Sequence, residues 1–207
     1  KLKELSNLIG DLGFNWKNGD DYFGGVVEAR DEFQQERITE MRKSGLNIMM
    51  SMKTSGKPVS FIEDCSVRLK DLADYTSELK EIFKKYNVAG TWYAHASVGC
   101  LHVRPVLDMK KETDVTKMRK IAEETFTLVK KYGGSHSGEH GDGILRSEFH
   151  EKMYGEKITK IFKRVKNLFD ENNIFNPGKI VNAPKMDKRE LFRYSPSYKV
   201  KNFKTNF

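Results

Sequence analysis

Apolar positions recur at helical spacing in several stretches of the chain and at strand spacing in others. Residues 2–12 carry a short amphipathic pattern, and Tyr22–Glu28 reads as a strand. Residues 30–44 are polar and predict a helix that ends near Gly45, a residue type suited to the position after a helix. Leu46–Met52 and Pro58–Ile62 are short apolar runs flanking Lys53-Thr54-Ser55-Gly56-Lys57, a hairpin signal. A helix follows over 67–85, with Leu69, Leu72, Leu79, Ile82 and Phe83 on one stripe. Strands are predicted at Thr91–Ala96 and Leu101–Leu107. A long helix over 112–132 turns Val115, Met118, Ala122, Phe126 and Val129 inward and stops at Gly133-Gly134. Gly138–Gly143 is a loop. A last helix over 155–172 places Ile158, Ile161, Phe162, Val165, Leu168 and Phe169 on its core side, and Asn176-Pro177-Gly178 closes it.

Strands with interposed helices and two hairpins imply an α+β fold, a largely antiparallel sheet with helices packed on one face. A doubly wound dinucleotide fold is disfavoured, because no Gly-x-Gly-x-x-Gly follows a first strand. Residues 1–182 are expected to form one domain, and 183–207 a basic tail or linker toward a further domain.

The chain has 207 residues, 38% hydrophobic and 32% charged, enough for one generous domain. No apolar run approaches the ~20 residues of a membrane helix, and the N-terminus has no apolar signal-peptide core. The chain begins at Lys1 and reads as an excised piece of a longer protein. Two cysteines, Cys65 and Cys100, imply buried free thiols in a reducing compartment, so a cytoplasmic location is expected. The formal charge of +8 is spread along helices beside acidic residues. That pattern favours solvated faces over nucleic-acid binding.

Two segments concentrate the chemistry: Tyr93-Ala94-His95-Ala96-Ser97-Val98-Gly99-Cys100-Leu101-His102-Val103-Arg104 and Ser137-Gly138-Glu139-His140-Gly141-Asp142-Gly143-Ile144-Leu145-Arg146. A hairpin centred on Val98-Gly99 would set His95 opposite His102, Tyr93 opposite Arg104 and Ser97 opposite Cys100. Opposed residues on one face have Cβ atoms roughly 4.5–5.5 Å apart, close enough for two imidazoles to share one ion. Glu139, in a loop whose glycines permit close approach, is the natural third donor. His95, His102 and Glu139 then form an open His₂Glu site suited to a divalent metal, zinc or a similar ion.

At these segments the chain resembles the C-terminal (cap, or substrate) domain of FAD-linked oxidases of the vanillyl-alcohol-oxidase superfamily, the group of D-lactate, glycolate and D-2-hydroxyglutarate dehydrogenases. The motifs that carry the resemblance are His95-Ala-Ser-Val-Gly-Cys-Leu-His102, Glu139-His140-Gly141-Asp142-Gly143 and Asn176-Pro177-Gly178-Lys179, with a looser match upstream through Phe61-Ile62-Glu63-Asp64. Where the family usually has Gly-Asp-Gly-Asn before Leu-His, this chain has Ser97-Val98-Gly99-Cys100, and Arg104 replaces an Asn. Both departures resemble long members with a C-terminal iron–sulfur domain.

The resemblance implies oxidation of a D-2-hydroxyacid to the 2-oxoacid, with hydride transfer to FAD held mainly by a domain absent from this chain. It implies His140 as acid/base and Arg42 as carboxylate ligand, with Arg37 a rival. Arg104 and Arg146 are further candidates for that carboxylate, and Asn176 and Gly178 for the flavin side. An iron–sulfur cluster and peripheral membrane association in the full-length enzyme are compatible with it. Two other classes stay open: a metal-dependent hydrolase using the same three ligands and a bound water, and a non-catalytic ligand-binding or assembly module with structural histidines.

Overall fold

The computed structural model describes residues 1–11, 29–196 and 198–199, so the strand expected at Tyr22–Glu28 lies outside the described residues. The chain divides into two compact units, Lys1–Ile48 and Met49–Phe207. The first holds helix α1 (Leu2–Asp11) and most of helix α2 (Glu32–Met50). Helix α2 runs through Gly45 instead of stopping there, and it takes up Leu46–Met50, half of the expected hairpin. Short apolar runs look alike in helix and strand, and one mid-helix glycine costs only about 1 kcal/mol.

The second unit is built around one strand. Strand β4 (Cys100–Leu107) pairs antiparallel with β1 (Lys57–Pro58) and β2 (Cys65–Ser66) along one edge and with β3 (Gly90–His95) along the other. Helices α3 (Leu72–Lys85) and α4 (Glu112–Lys131) supply much of the core. Val115, Met118, Ala122, Phe126 and Val129 of α4 are all buried, as their spacing requires, and they join Leu101, Val103 and Leu107 of β4 in one cluster. Alternation along β4 therefore turns His102 and Arg104 to the opposite face. Helices on one sheet face and polar chemistry on the other is the α+β arrangement expected.

The β3–β4 turn corrects the register. Tyr93, not His95, lies opposite His102, and His95 pairs with Cys100. A 3-10 turn at Ala96–Val98 and left-handed Gly99 (φ 69°) make the connection. A Cβ on Gly99 would sit 2.0 Å from the Val67 carbonyl oxygen, so no other residue fits that turn. A two-residue shift keeps every side chain on its face, whereas a one-residue slip would have reversed them.

The segment expected as one helix over 67–85 begins as a 3-10 turn at Leu69–Asp71, and Leu69 is 60% exposed; Tyr75, Leu79 and Phe83 are the buried positions. The chain then passes through α5 (His150–Tyr154) to α6 (Glu156–Phe169). The stripe read as the core side of α6 is a correction: the helix has no buried residue, and Leu168 and Phe169 are 78% and 80% exposed. Its amphipathicity is real, but no described residue of this unit buries it. Residues 183–192 pack on the unit: Met186 is buried in the core, Phe192 packs against it, and Arg189 donates to the Met109 carbonyl. No described helix is long and apolar enough to cross a membrane.

Candidate active site

The site forms where β3, β4 and the loop at 138–140 meet. Residues just after α4 are drawn in by pairing: Ser66 and Ser135 exchange both backbone hydrogen bonds at 2.9 Å. Three residues on, Gly138 passes so close to β2 that a Cβ would lie 2.4 Å from the Ser66 hydroxyl.

Asp64 then fixes the loop. Its carboxylate accepts the backbone N–H groups of Gly138, Glu139 and His140, all at 2.9 Å. The residue is fully buried and has φ 77°, a conformation Asp and Asn tolerate better than most. Burial pushes its carboxyl up, but the His140 and Glu139 amides outweigh it and hold it below the usual carboxylate range.

Glu139, so placed, meets both hairpin histidines. Its Oε1 lies 2.9 Å from His102 Nε2 and 3.3 Å from His95 Nε2. His102 is 2% exposed and sits in a ring stack, with Tyr93 at 4.8 Å on one partner plane and His140 at 4.8 Å on another. His95 meets His102 edge-on at 5.0 Å. The side chains of His95 and Glu139 are about half exposed, so the cluster opens to one side. The Cys100 sulfur reaches the rim, 3.6 Å from Asp64 Oδ1 and 3.9 Å from Glu139 Oε1, its thiol pushed up by burial.

His102 and Glu139 fall with Asp64 and Cys100 in one group of ligand-type atoms within 4.8 Å of one another, and His95 Nε2 joins them through Glu139 Oε1 at 3.3 Å; these are donor types that could hold a divalent ion. Two imidazole nitrogens converge on one carboxylate oxygen at hydrogen-bond distance, which is how neutral and anionic ligands gather around a shared cation.

Arg104 and Arg146 reach the neighbourhood already engaged. Arg104 grips Glu63 through both ends of its guanidinium, Nε to Oε2 at 2.8 Å and Nη2 to Oε1 at 2.6 Å, and both residues are buried. Burial pushes the Glu63 carboxyl up, but the Arg104 fork outweighs it and leaves it below its ordinary value. Arg146 donates to the backbone carbonyls of Gly141 and Glu63. Arg42 and Arg37 are exposed on α2, in the first unit. Asn176 lies instead on an open groove of about 670 Å³, lined mainly by apolar side chains including Phe162, Val165, Phe175 and Ile180.

Sequence reasoning noted Glu63 and Asp64 only within the looser upstream match. Adjacent carboxylates inside the apolar stretch from Val59 to Val67 were the available signal, since buried charges need partners. A second polar cluster, His136, Asp142 and His150, was missed altogether. Burial pushes His136 down to about 4, leaving it a neutral imidazole at physiological pH.

The family of FAD linked oxidases, C-terminal domain, matches residues 17–180. Similar proteins include the D-2-hydroxyglutarate dehydrogenase of Haemophilus influenzae, 36% identical over 190 residues, covering 92% of this chain and 18% of that protein. The D-2-hydroxyglutarate dehydrogenase of Escherichia coli is 37% identical over 145 residues, 70% of this chain and 14% of that protein. A D-lactate dehydrogenase of Archaeoglobus fulgidus is 31% identical over 156 residues, 75% of this chain and 33% of that protein. The chain thus spans less than a fifth of the first two relatives and a third of the other. With the match spanning most of the chain and taking in both the hairpin histidines and the Glu139 loop, the chain belongs to the family of FAD linked oxidases, C-terminal domain.

Proposed function

We propose that this chain is the substrate-side part of an FAD-dependent dehydrogenase that oxidises a D-2-hydroxyacid to the 2-oxoacid. The observation that carries the reading is the convergence of His95 and His102 on the Glu139 carboxylate, in a chain whose relatives include D-2-hydroxyglutarate and D-lactate dehydrogenases. His95, His102 and Glu139 would hold a divalent ion, zinc by donor type. When bound, such an ion would lower the pKa of a substrate hydroxyl and fix its direction, and FAD would supply the hydride acceptor.

The chain's own residues do the rest. Glu139 and His95 face the open side of the cluster, where a small acid can enter. His140, exposed beside them and stacked on His102, would accept the hydroxyl proton. Asp64 holds the backbone that carries both Glu139 and His140, so base and ligand keep a fixed relation. Arg104 and Arg146 already have internal partners; for the substrate carboxylate the family resemblance suggests Arg42, with Arg37 its rival.

The exposed apolar face of α6, with Ile174 and Phe175, is assigned to contact with an FAD-binding domain. The relatives are several times longer than this chain and have the length to supply one. Asn176 and Gly178, beside that face, would lie toward the flavin. An iron–sulfur domain beyond residue 207 belongs to the same proposal and rests on the departures at Ser97–Cys100 and Arg104 and on the resemblance of Met186-Asp187-Lys188-Arg189 through Arg193-Tyr194 to the linker of such members.

The test is anaerobic bleaching of bound flavin in the full-length protein. D-2-Hydroxyglutarate is expected to reduce the flavin, with D-lactate and glycolate as the next acids to compare, and L-isomers are expected to be inert. Exchanging Leu168 and Phe169 for serine is expected to lower the flavin content of the purified protein. Absence of bleaching with every 2-hydroxyacid, together with ester or amide hydrolysis by the same preparation, would transfer the site to a hydrolase.

A further inference from the structure

Below the Glu139–His140 loop lies a second group of ligand-type side chains that the proposed reaction does not use. His136, Asp142 and His150 bring one ligand atom each within 4.8 Å of one another. His136 Nε2 lies 3.4 Å from Asp142 Oδ1, and His150 Nε2 lies 2.9 Å from Asp142 Oδ2. His136 is fully buried, His150 is 3% exposed, and the Asp142 side chain is largely covered.

His150 Nε2 and Asp142 Oδ2 stand at hydrogen-bond distance though out of line, and His150 still helps hold the Asp142 carboxyl below its ordinary value. His136 Nε2, His150 Nε2 and Asp142 Oδ1 are buried and have no hydrogen-bond partner in line. Such groups are uncommon in folded proteins, because each forfeits its interaction with water without replacement. Three around one point ask for something at that point.

The tautomer of His150 says what it would be. Its Nδ1 is 3.1 Å from the Ile180 carbonyl, which can only accept, so Nδ1 carries the proton. In the neutral ring Nε2 then presents a lone pair toward the Asp142 carboxylate. Two acceptors facing each other at 2.9 Å repel unless a proton or a metal cation lies between them. A backbone carbonyl that takes the second ring N–H is also the usual support behind a metal-bound histidine.

We propose that His136, Asp142 and His150 form a second divalent-cation site, distinct from the His95–His102–Glu139 cluster. Two imidazole nitrogens and a carboxylate select zinc or a neighbouring transition ion over calcium or magnesium. The burial of the cluster leaves little room for a reacting molecule, so the ion acts as a staple. It joins the segment after α4, the loop after His140 and the first turn of α5. Asp142 is three residues from Glu139, so the staple would fix the far side of the loop that Asp64 fixes on the near side. Arg146, the neighbouring cation, is turned onto the Gly141 and Glu63 carbonyls.

Zinc content of the full-length protein, dialysed against a trace of zinc and measured by plasma mass spectrometry, tests this. A His95→Ala/Glu139→Gln double variant, which strips the first cluster, is expected to retain one equivalent of zinc. Adding Asp142→Asn to it should remove that equivalent, and His150→Gln should do the same. The retained ion should also raise the thermal midpoint of the double variant in a zinc-dependent way. A double variant that binds no zinc overturns the proposal without any change to the buried cluster, so misfolding cannot mask the answer. Retention of the ion after both Asp142→Asn and His150→Gln also overturns it, and the cluster is then a buried imidazolium–carboxylate group. Loss of zinc on Asp142→Asn alone, with Glu139→Gln silent, would sink the first site and leave the second standing.

Discussion

Replacing Arg104 by methionine is expected to destabilise the second unit by about 3–5 kcal/mol, the usual result of leaving one member of a buried ion pair without its partner. The size follows from Glu63, which is 2% exposed and receives both ends of the Arg104 fork. Urea unfolding of the single variant and of Arg104→Met/Glu63→Gln measures it, and the double variant should recover most of the loss because neither charge of the pair remains. The pH dependence has a definite sign. Glu63 is held below its ordinary value of 4.5, so the stabilisation is present above that value and fades as pH falls through the lowered one. The gap between wild type and Arg104→Met should therefore narrow in acid. If Arg104 instead bound the substrate carboxylate in the resting protein, its loss would raise KM and leave stability near wild type.

Asp64→Ala should be comparably severe, with a loss of roughly 3–6 kcal/mol, because three backbone donors lose a charged acceptor and alanine inherits a left-handed backbone. Asn is the informative second replacement. It tolerates φ 77° and keeps one acceptor oxygen, so Asp64→Asn should retain the fold with a loss of about 1–3 kcal/mol. It should still weaken cation binding at His95, His102 and Glu139 by about 10- to 100-fold, as other losses behind a ligand do. Circular dichroism and zinc competition on the same sample separate the two effects. An Asp64→Asn protein with unaltered zinc affinity would mean that Glu139 does not depend on the loop amides for its position.

The parts of this structure that were legible in the sequence share one property: a single repeating pattern determines them. The stripe of α4 fixed which of its faces is buried, and alternation fixed the faces of β3 and β4. What failed depends on matters the pattern does not carry. The β3–β4 register turns on whether Ala96–Val98 continues the strand or coils into a 3-10 turn, and Gly99 in a left-handed conformation decides that locally. The stripe of α6 is as clear as that of α4, yet an amphipathic pattern states that a face needs covering without saying what covers it.

The candidate site divides the same way. His95, His102 and Glu139 were readable because two lie on one hairpin and the third sits in a distinctive glycine loop. Their meeting around one carboxylate oxygen survived a register error of two residues because both registers leave the histidines on the same face. The clamp under that loop was harder to see, since Asp64 is some seventy residues upstream and acts through backbone amides. His136, Asp142 and His150 had no spacing to reveal them; the fold alone brings them together.

The most direct test of the central claim is cobalt(II) binding to the full-length protein, followed by ligand-field absorption and equilibrium dialysis, with wild type beside Glu139→Gln and His95→Ala. Each variant, still folded, is expected to lose one equivalent of tight binding or to weaken it by about 100-fold or more, since a ligand should matter at least as much as the groups behind it. Variants that bind cobalt with wild-type stoichiometry, affinity and spectrum would contradict that claim.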